Sequence, residues 1–302
     1  MSNVDSYDHP DVQALIRLAL HEDLRFGVDV TCAAVVAPGA RLVAEVKAKQ
    51  AGVLCGMPLF ERVYRELGAS IAIAVCVADG TVVQPGDVVW RGTGDAVALL
   101  TGERTALNLA QRLSGTATAT AALVAAVAGT KAQILDTRKT TPGMRVLQKL
   151  AVLAGGGANH RHGLNDAVLI KDNHIALMPP GPLGSGPAEA VRRARERLGA
   201  QMRIEVEIER LDDLAPVIRA GADIVLLDNL DPDTVRRAVA LRDATPAPDS
   251  RRVLLEASGG ITLASVRGFA EAGVDRISTG SMTHSVNALD LSMRTRIPAD
   301  HA

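Results

Sequence analysis

The hydrophobic positions of this chain follow two different patterns, which divide it near residue 130. In the N-terminal part, helical and strand-like patterns occur in irregular order. Apolar residues at spacings of three and four predict helices at 11–21 and 58–67, and alternation predicts strands at 41–48 and 71–77. This mixture predicts an α+β domain for the N-terminal part.

The turns and the longest helix of the N-terminal part have their own signals. Asp-Gly and Pro-Gly-Asp turns flank Val82-Val83 and Val88–Trp90, which predicts a small antiparallel unit. An Ala- and Leu-rich helical region then extends from about Leu99 to Ala128. The Ser114-Gly115 pair predicts an interruption within it, because glycine weakens a helix interior.

From residue 130 onward, strand-like and helical patterns alternate regularly. Six strands are predicted, at Ala132–Asp136, Ala167–Lys171, Met202–Ile208, Ala222–Leu227, Val253–Glu256 and Arg276–Ser278. Helical segments near 145–154, 188–198, 212–220, 232–241 and 262–272 separate them. Strands separated by helices predict a parallel sheet with helical crossovers. Because there are six strands rather than eight, we expect an α/β fold with an incomplete barrel.

Two short segments depart from this alternation. Residues 179–187 are rich in proline and glycine, which predicts a loop extension after the strand that ends at Lys171, at the rim of a site or just outside it. Pro216 lies inside a predicted helix and is tolerable only if that helix begins close to it.

Three clusters of cationic side chains follow predicted strands or loops between Asp136 and Ile175. They are Arg138-Lys139, His160–His162, and Lys171 with His174. A helix between the first two clusters has Thr141 as its predicted N-cap, Pro142 at its first position and Gly155–Gly157 as its end. Arginine forks match carboxylate and phosphate oxygens, so the clusters favour a small, multiply anionic ligand. The alternative, a solvated basic face, is weakened by the apolar runs between the clusters.

Acidic side chains mark the next two strands. Glu205, Glu207 and Glu209 alternate, so we expect them to share one face of a strand. Asp228 stands where the following apolar strand ends. Buried carboxylates require a cation or a polar ligand to offset their desolvation. In parallel barrels the ligand lies at the carboxyl ends of the strands, so these acids are candidates for a site.

Glycine-containing loops follow the last two predicted strands. Ser258-Gly259-Gly260 precedes a helix predicted to begin at Thr262, and Thr279 with Gly280 follows the last strand. Glycine lets backbone N–H groups approach a phosphate, and a helix N-terminus favours its negative charge. The two loops together predict a phosphate-binding cradle.

Composition and charge exclude several classes of partner. The net charge is −1 and aromatics are 2% of the 302 residues, which argues against nucleic acid and acidic membrane surfaces. No apolar run is long enough to span a bilayer, and the polar start is unlike a secretory signal. Cys32, Cys55 and Cys76 have no metal-ligand spacing, so we expect reduced, buried thiols in a cytoplasmic protein.

Three sequence motifs resemble those of one enzyme family. They are DTRKTTPG at 136–143, GGGANHR at 155–161 and LIKDNH at 169–174. The chain is similar in these motifs to quinolinate phosphoribosyltransferases (nicotinate-nucleotide diphosphorylase, carboxylating). The likeness extends from Glu22–Leu24 to Thr283–Ser285. So many matches in order are more specific than any single motif.

The resemblance implies a fold and a reaction. It implies an irregular α/β barrel at 116–288 and an N-terminal α+β domain at 1–115, to which residues 289–302 return. The implied reaction converts quinolinate and phosphoribosyl diphosphate into nicotinate mononucleotide, CO₂ and diphosphate, in the biosynthesis of NAD. A homodimer is implied, or a hexamer, in which Arg104 reaches the neighbouring subunit's site.

The resemblance also implies roles for individual residues. Catalytic roles fall on Lys139, Lys171, Glu207 and Asp228, of which the two acids hold Mg²⁺ and the ribose. Mg²⁺ prefers oxygen ligands and keeps part of its water, so two carboxylates suffice. The implied substrate-binding set is Arg104, Thr137, Arg138, Lys139, His160, Arg161, Lys171, Ser258, Gly259, Gly260, Thr279, Gly280 and Ser281.

Three other interpretations remain open at this point. A molybdenum-associated paralogue group shares the Arg-Lys-Thr-x-Pro-Gly run, although Asn159–Arg161 and Ile170–His174 favour the quinolinate enzymes. A Schiff-base aldolase on a phosphate-binding barrel would use Lys139 or Lys171 as its nucleophile. A non-catalytic metabolite-binding or scaffold protein would need neither the acidic pair nor the cationic clusters.

Overall fold

The computed structural model of the protein describes residues 6–248 and 251–298. The helices are α1 Pro10–Leu24, α2 Val30–Val35, α3 Leu59–Glu66, α4 Ala96–Ala126, α5 Arg145–Ala154, α6 Asp172–Ala176, α7 Pro187–Leu198, α8 Leu214–Arg219, α9 Pro232–Ala244, α10 Val266–Glu271 and α11 Ser281–His284. The strands are β1 Arg41–Ala48, β2 Gly52–Val53, β3 Ala72–Cys76, β4 Val82–Val83, β5 Val88–Asp95, β6 Gln133–Leu135, β7 Val168–Ile170, β8 Ile204–Ile208, β9 Ile224–Asp228, β10 Leu254–Ser258, β11 Arg276–Ser278 and β12 Leu291–Arg296.

The described residues form two compact units. The first contains the described parts of Met1–Ala121, Lys139–Gly156 and Met282–Ala302. The second consists of Ala122–Arg138 and Gly157–Ser281. The first unit therefore includes a segment, Lys139–Gly156, that the predicted division places in the barrel domain. The predicted ends of the chain at 1–5 and 299–302 lie outside the described residues.

An antiparallel sheet forms the centre of the first unit, in the order β12-β1-β5-β3. β5 pairs with β1 along one edge and with β3 along the other. The predicted pairing of Val82-Val83 with Val88–Trp90 is therefore wrong, because both edges of β5 are already used. Val82-Val83 pairs instead with Gly52-Val53. The C-terminal strand β12 completes the sheet by pairing with β1.

The long helix α4 has no interruption at Ser114-Gly115, so that prediction is wrong. A Cβ atom at Gly115 would lie 2.1 Å from the carbonyl oxygen of Asn287 and 3.1 Å from Cα of Ala288. Because Gly115 has no side chain, the backbone at Asn287 and Ala288 can pack closely against α4. Gly115 does not break the helix.

We expect Gly115→Ala to destabilise the protein by about 1–3 kcal/mol, because the backbone at Asn287 has to move away from the new methyl group. At a helical position with room for a methyl group, replacing glycine by alanine usually stabilises the helix. Gly268→Ala in α10 is the matched control, since its Cβ would meet only Pro232 at 3.6 Å. Urea unfolding of both variants measures the difference, and equal free energies of unfolding would contradict this role of Gly115.

A parallel sheet of six strands forms the centre of the second unit. Its order is β6-β11-β10-β9-β8-β7, and every neighbouring pair is parallel. β6 and β7 are the two edge strands and do not pair with each other among the described residues. The predicted parallel strands and the incomplete α/β barrel are confirmed.

The register of the parallel sheet places several charged residues on one face. Glu207 and Glu256 both lie beside Leu226, and Glu256 also lies beside Arg276. Since alternate residues of a strand share a face, Glu205 and Asp228 belong to the same face. Glu209 lies beyond the end of β8 and is exposed, so the predicted stripe of three glutamates is reduced to two.

Some predicted helix ends differ from the structure. α5 begins at Arg145 rather than at Pro142, because Gly143 has φ of +78°, which is incompatible with a right-handed helix. Its predicted end is confirmed, with Gly155 as the C-cap. α10 begins at Val266, not at Thr262. Pro216 is the third residue of α8, so the expected early position of this proline is confirmed.

The proline- and glycine-rich extension at 179–187 is an ordered loop anchored to α7. Gly181 and Gly184 exchange two backbone hydrogen bonds. The Oε2 atom of Glu189 accepts from the backbone N–H of Leu183 at 3.2 Å, and Arg193 donates to the Pro180 carbonyl at 3.0 Å. Glu189 also pairs with Arg192 and Arg193. Hydrogen bonds from these two guanidiniums, first from Arg192, lower the pKa of Glu189 to about 2. The loop is therefore held by side chains of α7.

The cysteines agree only in part with their predicted burial. All three are free thiols, as predicted. Cys32 and Cys55 are buried, whereas Cys76 is exposed on β3, where burial alternates along the strand. Within the part of the chain that the structure describes, no helix combines the length and apolar character needed to cross a membrane.

Candidate active site

An open cavity of about 540 Å³ lies in the second unit, beside β7. Its volume is within the range of small-molecule sites. Four of its lining residues are cationic or titratable: Arg138, Arg161, Lys171 and His174. Its other lining residues are apolar: Leu164, Ala167, Val168, Leu169, Ile170, Met178, Ala190 and Ala194. The cavity thus contains one residue from each of the first two predicted cationic clusters and both residues of the third, together with an apolar lining.

Two guanidinium groups, those of Arg138 and Arg161, line this cavity. Arg161 is buried and donates to the Ala167 carbonyl at 3.1 Å. The buried Nε atom of Arg138 has no hydrogen-bond partner within the described chain. Burial and the charge of Arg138 both lower the pKa of Arg161. An anionic ligand would relieve this repulsion and supply the missing acceptor.

Lys171 follows β7 and reaches the neighbouring strand. Its Nζ atom donates to Oε2 of Glu207 on β8. Lys171 is also the N-cap of α6, where its backbone N–H donates to Nδ1 of His174 at 2.9 Å. This capping arrangement explains why His174 lies beside Lys171 at the cavity. The lysine therefore connects the cavity to the acidic side chains of the sheet.

His160 lies behind Arg161, against the charged face of the sheet. Its Nε2 atom is 2.9 Å from Oε2 of Glu205 and 3.3 Å from Oε1 of Glu256. Its Nδ1 atom accepts the backbone N–H of Arg161 at 2.7 Å. The other oxygen of Glu256 is 3.3 Å from Nε of Arg276. We call His160, Glu205, Glu256 and Arg276 the inner cluster.

Burial and neighbouring charges shift the pKa values of the residues of the inner cluster. Burial and the carboxylate of Glu256 raise the pKa of Glu205. Burial also opposes ionisation of Glu256, but the hydrogen bond from His160 and the charge of Arg276 lower its pKa below the usual value. For His160, the hydrogen bonds to the two glutamates outweigh burial and raise the pKa, whereas the Arg161 N–H at Nδ1 opposes double protonation. The carboxylate of Glu256 is therefore the one whose ionised form is favoured, beside the guanidinium of Arg276.

The ends of β9 and β10 are joined through Asn229. Asn229 donates from Nδ2 to Oδ2 of Asp228 at 2.6 Å, and its backbone N–H donates to the Ser258 carbonyl at 3.0 Å. A Cβ atom at Gly259 would lie 2.2 Å from Oδ1 of Asn229, and the φ of Gly259 is +96°. Only glycine fits there, so Asp228 and Gly259-Gly260 are held at one edge.

The loops after β10 and β11 are also hydrogen-bonded to each other. Thr279 is buried and its Oγ1 donates to the carbonyl of Ile261 at 3.2 Å. The hydroxyls of Thr279 and Ser281 are 3.0 Å apart, with Gly280 buried between them. The two predicted phosphate-binding loops thus lie together. Because α10 begins beyond Ser265, backbone N–H groups of the loop, rather than the first turn of a helix at Thr262, are the available donors.

Thr137, Lys139 and Arg104, the remaining predicted residues, are not among the residues that line the cavity. Thr137 is half-buried and precedes Arg138 in the second unit. Lys139 begins the segment of the first unit, where its carbonyl accepts from Oγ1 of Thr283 at 2.8 Å. Arg104 is an exposed residue of α4 in the first unit, 3.8 Å from Glu103. Its ion pair is long and solvated, so it contributes little to stability.

Comparison with known proteins decides the family. The family model "Quinolinate phosphoribosyl transferase, C-terminal domain" matches residues 116–294, and the model of the N-terminal domain of the same family matches residues 29–114. The chain belongs to the quinolinate phosphoribosyltransferase family.

Individual members of the quinolinate phosphoribosyltransferase family are similar over almost the whole chain. The nicotinate-nucleotide pyrophosphorylase (carboxylating) of Mycobacterium leprae is 41% identical over 280 residues, which cover 92% of this chain and 95% of the relative. A quinolinate phosphoribosyltransferase (decarboxylating) of Nicotiana glauca is 37% identical and covers 95% of this chain and 83% of the relative. The solved nicotinate-nucleotide pyrophosphorylase from Francisella tularensis aligns with a TM-score of 0.88 and 37% identity, covering 98% and 100% of the two chains.

Membership in the quinolinate phosphoribosyltransferase family removes the aldolase and scaffold interpretations. Some site residues were nevertheless absent from the predicted set. His174, which was predicted as part of the third cationic cluster but given no substrate contact, lines the cavity, and the unpredicted Glu256 and Arg276 complete the inner cluster. A signal for Glu256 exists in the sequence, since it is a lone charge within the apolar run 253–257. Its partner Arg276 had no such signal, because it is the first residue of its strand.

Proposed function

We propose that this member of the family transfers the phosphoribosyl group of phosphoribosyl diphosphate to quinolinate and releases CO₂ and diphosphate. The observation that carries the proposal is the pair of guanidiniums, Arg138 and Arg161, at one cavity with Lys171. Three cationic groups match a dianionic acceptor, and the apolar wall of the cavity matches its aromatic ring. The product is then nicotinate mononucleotide, an intermediate on the way to NAD.

The cationic side chains bind the two carboxylates of quinolinate. Arg138 supplies a buried donor, Nε, that has no acceptor within the described chain, and Arg161 presents a buried guanidinium that the like charge of Arg138 repels. Lys171 lies between this pair and Glu207, so it faces both the acceptor and the diphosphate side. Lys139 and Arg104 add further cations in the proposal, the first on the diphosphate side and the second on the acceptor side.

Glu207 and Asp228 hold Mg²⁺ and the ribose hydroxyls in the proposal. The donor set fits a hard divalent ion, since it contains only carboxylate oxygens on one face of adjacent strands. Lys171 contacts Oε2, one of the two oxygens of Glu207. A bound Mg²⁺ would neutralise charge on the diphosphate as it departs. Ser258, Gly259, Gly260, Thr279, Gly280 and Ser281 hold the 5-phosphate, mainly through backbone N–H groups.

The reaction then needs positioning and charge stabilisation rather than a protein nucleophile. Diphosphate leaves C1 of the ribose, which becomes oxocarbenium-like, and the pyridine nitrogen of quinolinate attacks this carbon. The ring nitrogen becomes cationic and stabilises the electron pair that remains on C2 when the adjacent carboxylate departs as CO₂. A proton from water then takes the place of the carboxylate at C2. Arg138, Arg161 and Lys171 orient the ring, and Glu207 and Asp228 stabilise the positive charge at the ribose.

Dimerisation is proposed from the surface around Arg104. Arg104 is exposed on α4, and Phe26, Val28 and Val30 are exposed in the neighbouring part of the first unit. Thr101, one turn before Arg104, lines a cavity together with these three residues. The three side chains form an exposed apolar surface around one cavity, and such surfaces are candidates for protein–protein contact. A second copy of the chain covers them in the proposal, as a dimer or hexamer, and receives Arg104. The three free thiols support the proposed cytoplasmic location.

We expect quinolinate to be a far better acceptor than nicotinate. Nicotinate has one carboxylate, so one of the two guanidiniums would lack a partner and the catalytic efficiency should fall by roughly 100-fold or more. Diphosphate release with each acceptor measures this difference. Equal catalytic efficiencies would contradict the assignment of Arg138 and Arg161 to the two carboxylates. Omission of the acceptor is the control for hydrolysis of phosphoribosyl diphosphate.

A further inference from the structure

Asn229 follows β9 directly and has an unusual backbone conformation. Its φ is +54°, and within residues 6–248 and 251–298 no other residue except glycine has a positive φ. Asparagine adopts the left-handed conformation more readily than most residues, because its short side chain can hydrogen-bond nearby. The residue is exposed, so burial in the core does not explain this conformation. What the conformation provides is contact with two neighbouring parts of the proposed site.

The first contact of Asn229 is with the carboxylate at the end of its own strand. Its Nδ2 atom donates to Oδ2 of Asp228 at 2.6 Å. A hydrogen bond to an ionised acceptor is stronger than a bond between neutral groups, and a bond to one oxygen limits rotation of the carboxylate. Asn229 thus fixes the direction in which Asp228 presents its carboxylate.

The second contact of Asn229 is with the loop that follows β10. Its backbone N–H donates to the Ser258 carbonyl at 3.0 Å, and Ser258 lies beside Asp228 in the register of the sheet. Its carboxamide packs over Gly259, where a Cβ atom would lie 2.2 Å from Oδ1 and 2.8 Å from Cγ of Asn229. One carboxamide therefore contacts both parts of the site, with Nδ2 at Asp228 and Oδ1 at the backbone of Gly259.

The phosphoribosyl donor requires a fixed separation of these two parts. Its ribose hydroxyls and its 5-phosphate are joined by covalent bonds, so the protein groups that bind them have to keep a matching distance. We propose that Asn229 is a positioning residue that sets this distance, by holding the carboxylate of Asp228 against the loop at Gly259. The inference rests on the proposed function, which assigns Asp228 to the ribose hydroxyls and Gly259 to the 5-phosphate. Asn229 itself takes no part in the breaking or making of bonds.

Two substitutions remove the contact with Asp228 without straining the backbone. Glycine and aspartate both accept a positive φ, so Asn229→Gly and Asn229→Asp should fold like the natural chain. Asn229→Gly removes the carboxamide. Asn229→Asp keeps the shape of the side chain but replaces the donor by an oxygen that repels the carboxylate of Asp228. A residue needed only for the turn after β9 would tolerate both substitutions.

Calorimetry without Mg²⁺ compares the binding of two probes, ribose 5-phosphate and inorganic phosphate. Ribose 5-phosphate requires both parts of the site, whereas inorganic phosphate requires only the loop. We expect Asn229→Gly to weaken the binding of ribose 5-phosphate by about tenfold, because the hydrogen bond that orients Asp228 is lost. Asn229→Asp should weaken it at least as much. The dissociation constant of inorganic phosphate should stay within about twofold, because the backbone N–H groups of the loop remain.

The outcomes of this binding experiment separate the role of Asn229 from the proposed function. Unchanged binding of ribose 5-phosphate in both variants overturns the positioning role. Equal weakening of both probes also overturns it, since Asn229 would then act on the loop alone. Neither probe contains an acceptor, so these results do not depend on quinolinate. If the natural chain bound neither probe, the proposed phosphate site and the function built on it would be wrong, and this inference with them.

Steady-state kinetics add a readout that a general loss of structure would not give. In Asn229→Gly, KM for phosphoribosyl diphosphate should rise by about tenfold while KM for quinolinate stays within about twofold, because Arg138 and Arg161 bind the acceptor. In a chain that already carries Asp228→Asn, Asn229→Gly should add little to KM for phosphoribosyl diphosphate, because Asn229 acts through Asp228. Fully additive increases would show that Asn229 contacts the sugar directly and would overturn the proposal.

Asn165→Gly is the matched control for both experiments. Asn165 is also exposed, and its Oδ1 also lies over a glycine, 2.6 Å from the position of a Cβ atom at Gly163. It therefore reproduces the loss of an exposed carboxamide that packs on glycine, but without a contact to Asp228. The control should leave the affinity for ribose 5-phosphate and KM for phosphoribosyl diphosphate unchanged. Losses as large as those of Asn229→Gly would contradict a specific role of Asn229.

Discussion

Replacing Asp228 by asparagine is expected to reduce turnover by roughly 100-fold or more, while quinolinate binding survives or tightens. The substitution keeps the shape of the side chain and a hydrogen-bonding group near Asn229, which now donates to Asp228 at 2.6 Å. It removes one negative charge from the ribose side of the proposed site. Because the acceptor is an anion bound by Arg138 and Arg161, the loss of that charge should not weaken its binding.

Calorimetry with quinolinate and a steady-state assay across a Mg²⁺ series separate the two effects of Asp228→Asn. Asp212→Asn is a suitable control, since Asp212 is exposed and forms a solvated ion pair with Arg210 at 3.5 Å. This control removes one charge from the surface and should leave both measurements unchanged. A collapse of quinolinate binding with normal turnover at saturation would place Asp228 in the acceptor site.

Mixing two inactive variants is expected to restore activity if Arg104 completes a neighbouring subunit's site. Arg104→Ala and Lys139→Ala should each be nearly inactive on their own. After exchange of subunits, a heterodimer contains one site with both defects and one site with neither. Half of the dimers should then carry one functional site, since random exchange gives about one half heterodimers. The activity per chain should therefore rise from background to roughly a quarter of that of the natural protein.

The control for this experiment is a mixture of Lys139→Ala and Lys171→Ala. Both lysines belong to their own chain's site in the proposal, so every site in such a heterodimer carries a defect. No recovery is expected there, even when mass spectrometry shows complete exchange. Recovery in neither mixture after verified exchange would show that Arg104 acts within its own chain or that its exposed position on α4 has no role in catalysis.

The positions of Lys171 and Asp228 could be predicted from sequence, because each follows several apolar residues and marks the end of a strand. Glu207 could be predicted because acidic and apolar residues alternate along its strand. In a parallel sheet all such ends lie at one edge, so periodicity alone brings these residues together. The Mg²⁺ site and the individual substrate contacts stay predictions, since they depend on a ligand or on another copy of the chain. The predicted domain boundaries also stay predictions.

The inner cluster could not be predicted, because it depends on pairing between residues far apart in sequence. Glu256 meets His160 only through the order of the strands and the register between β9 and β10. The prediction for Gly115 failed for a related reason, since a glycine that admits another backbone has the same sequence signal as one that ends a helix. Thr141 failed as an N-cap because Gly143 adopts a left-handed conformation before α5 begins.

The anchoring of the 179–187 loop by α7 has a consequence for how this part of the sequence can change during evolution. The loop itself supplies mostly backbone groups, whereas Glu189 and Arg193 supply the side chains that hold it. Selection on the loop's own residues should therefore be weak, apart from the close contact of Gly181 with Glu189. Insertions and deletions can accumulate at the loop while Met178 and Ala190, on either side of it, continue to line the cavity. The side chains that fix the conformation of the loop are therefore mainly those of α7.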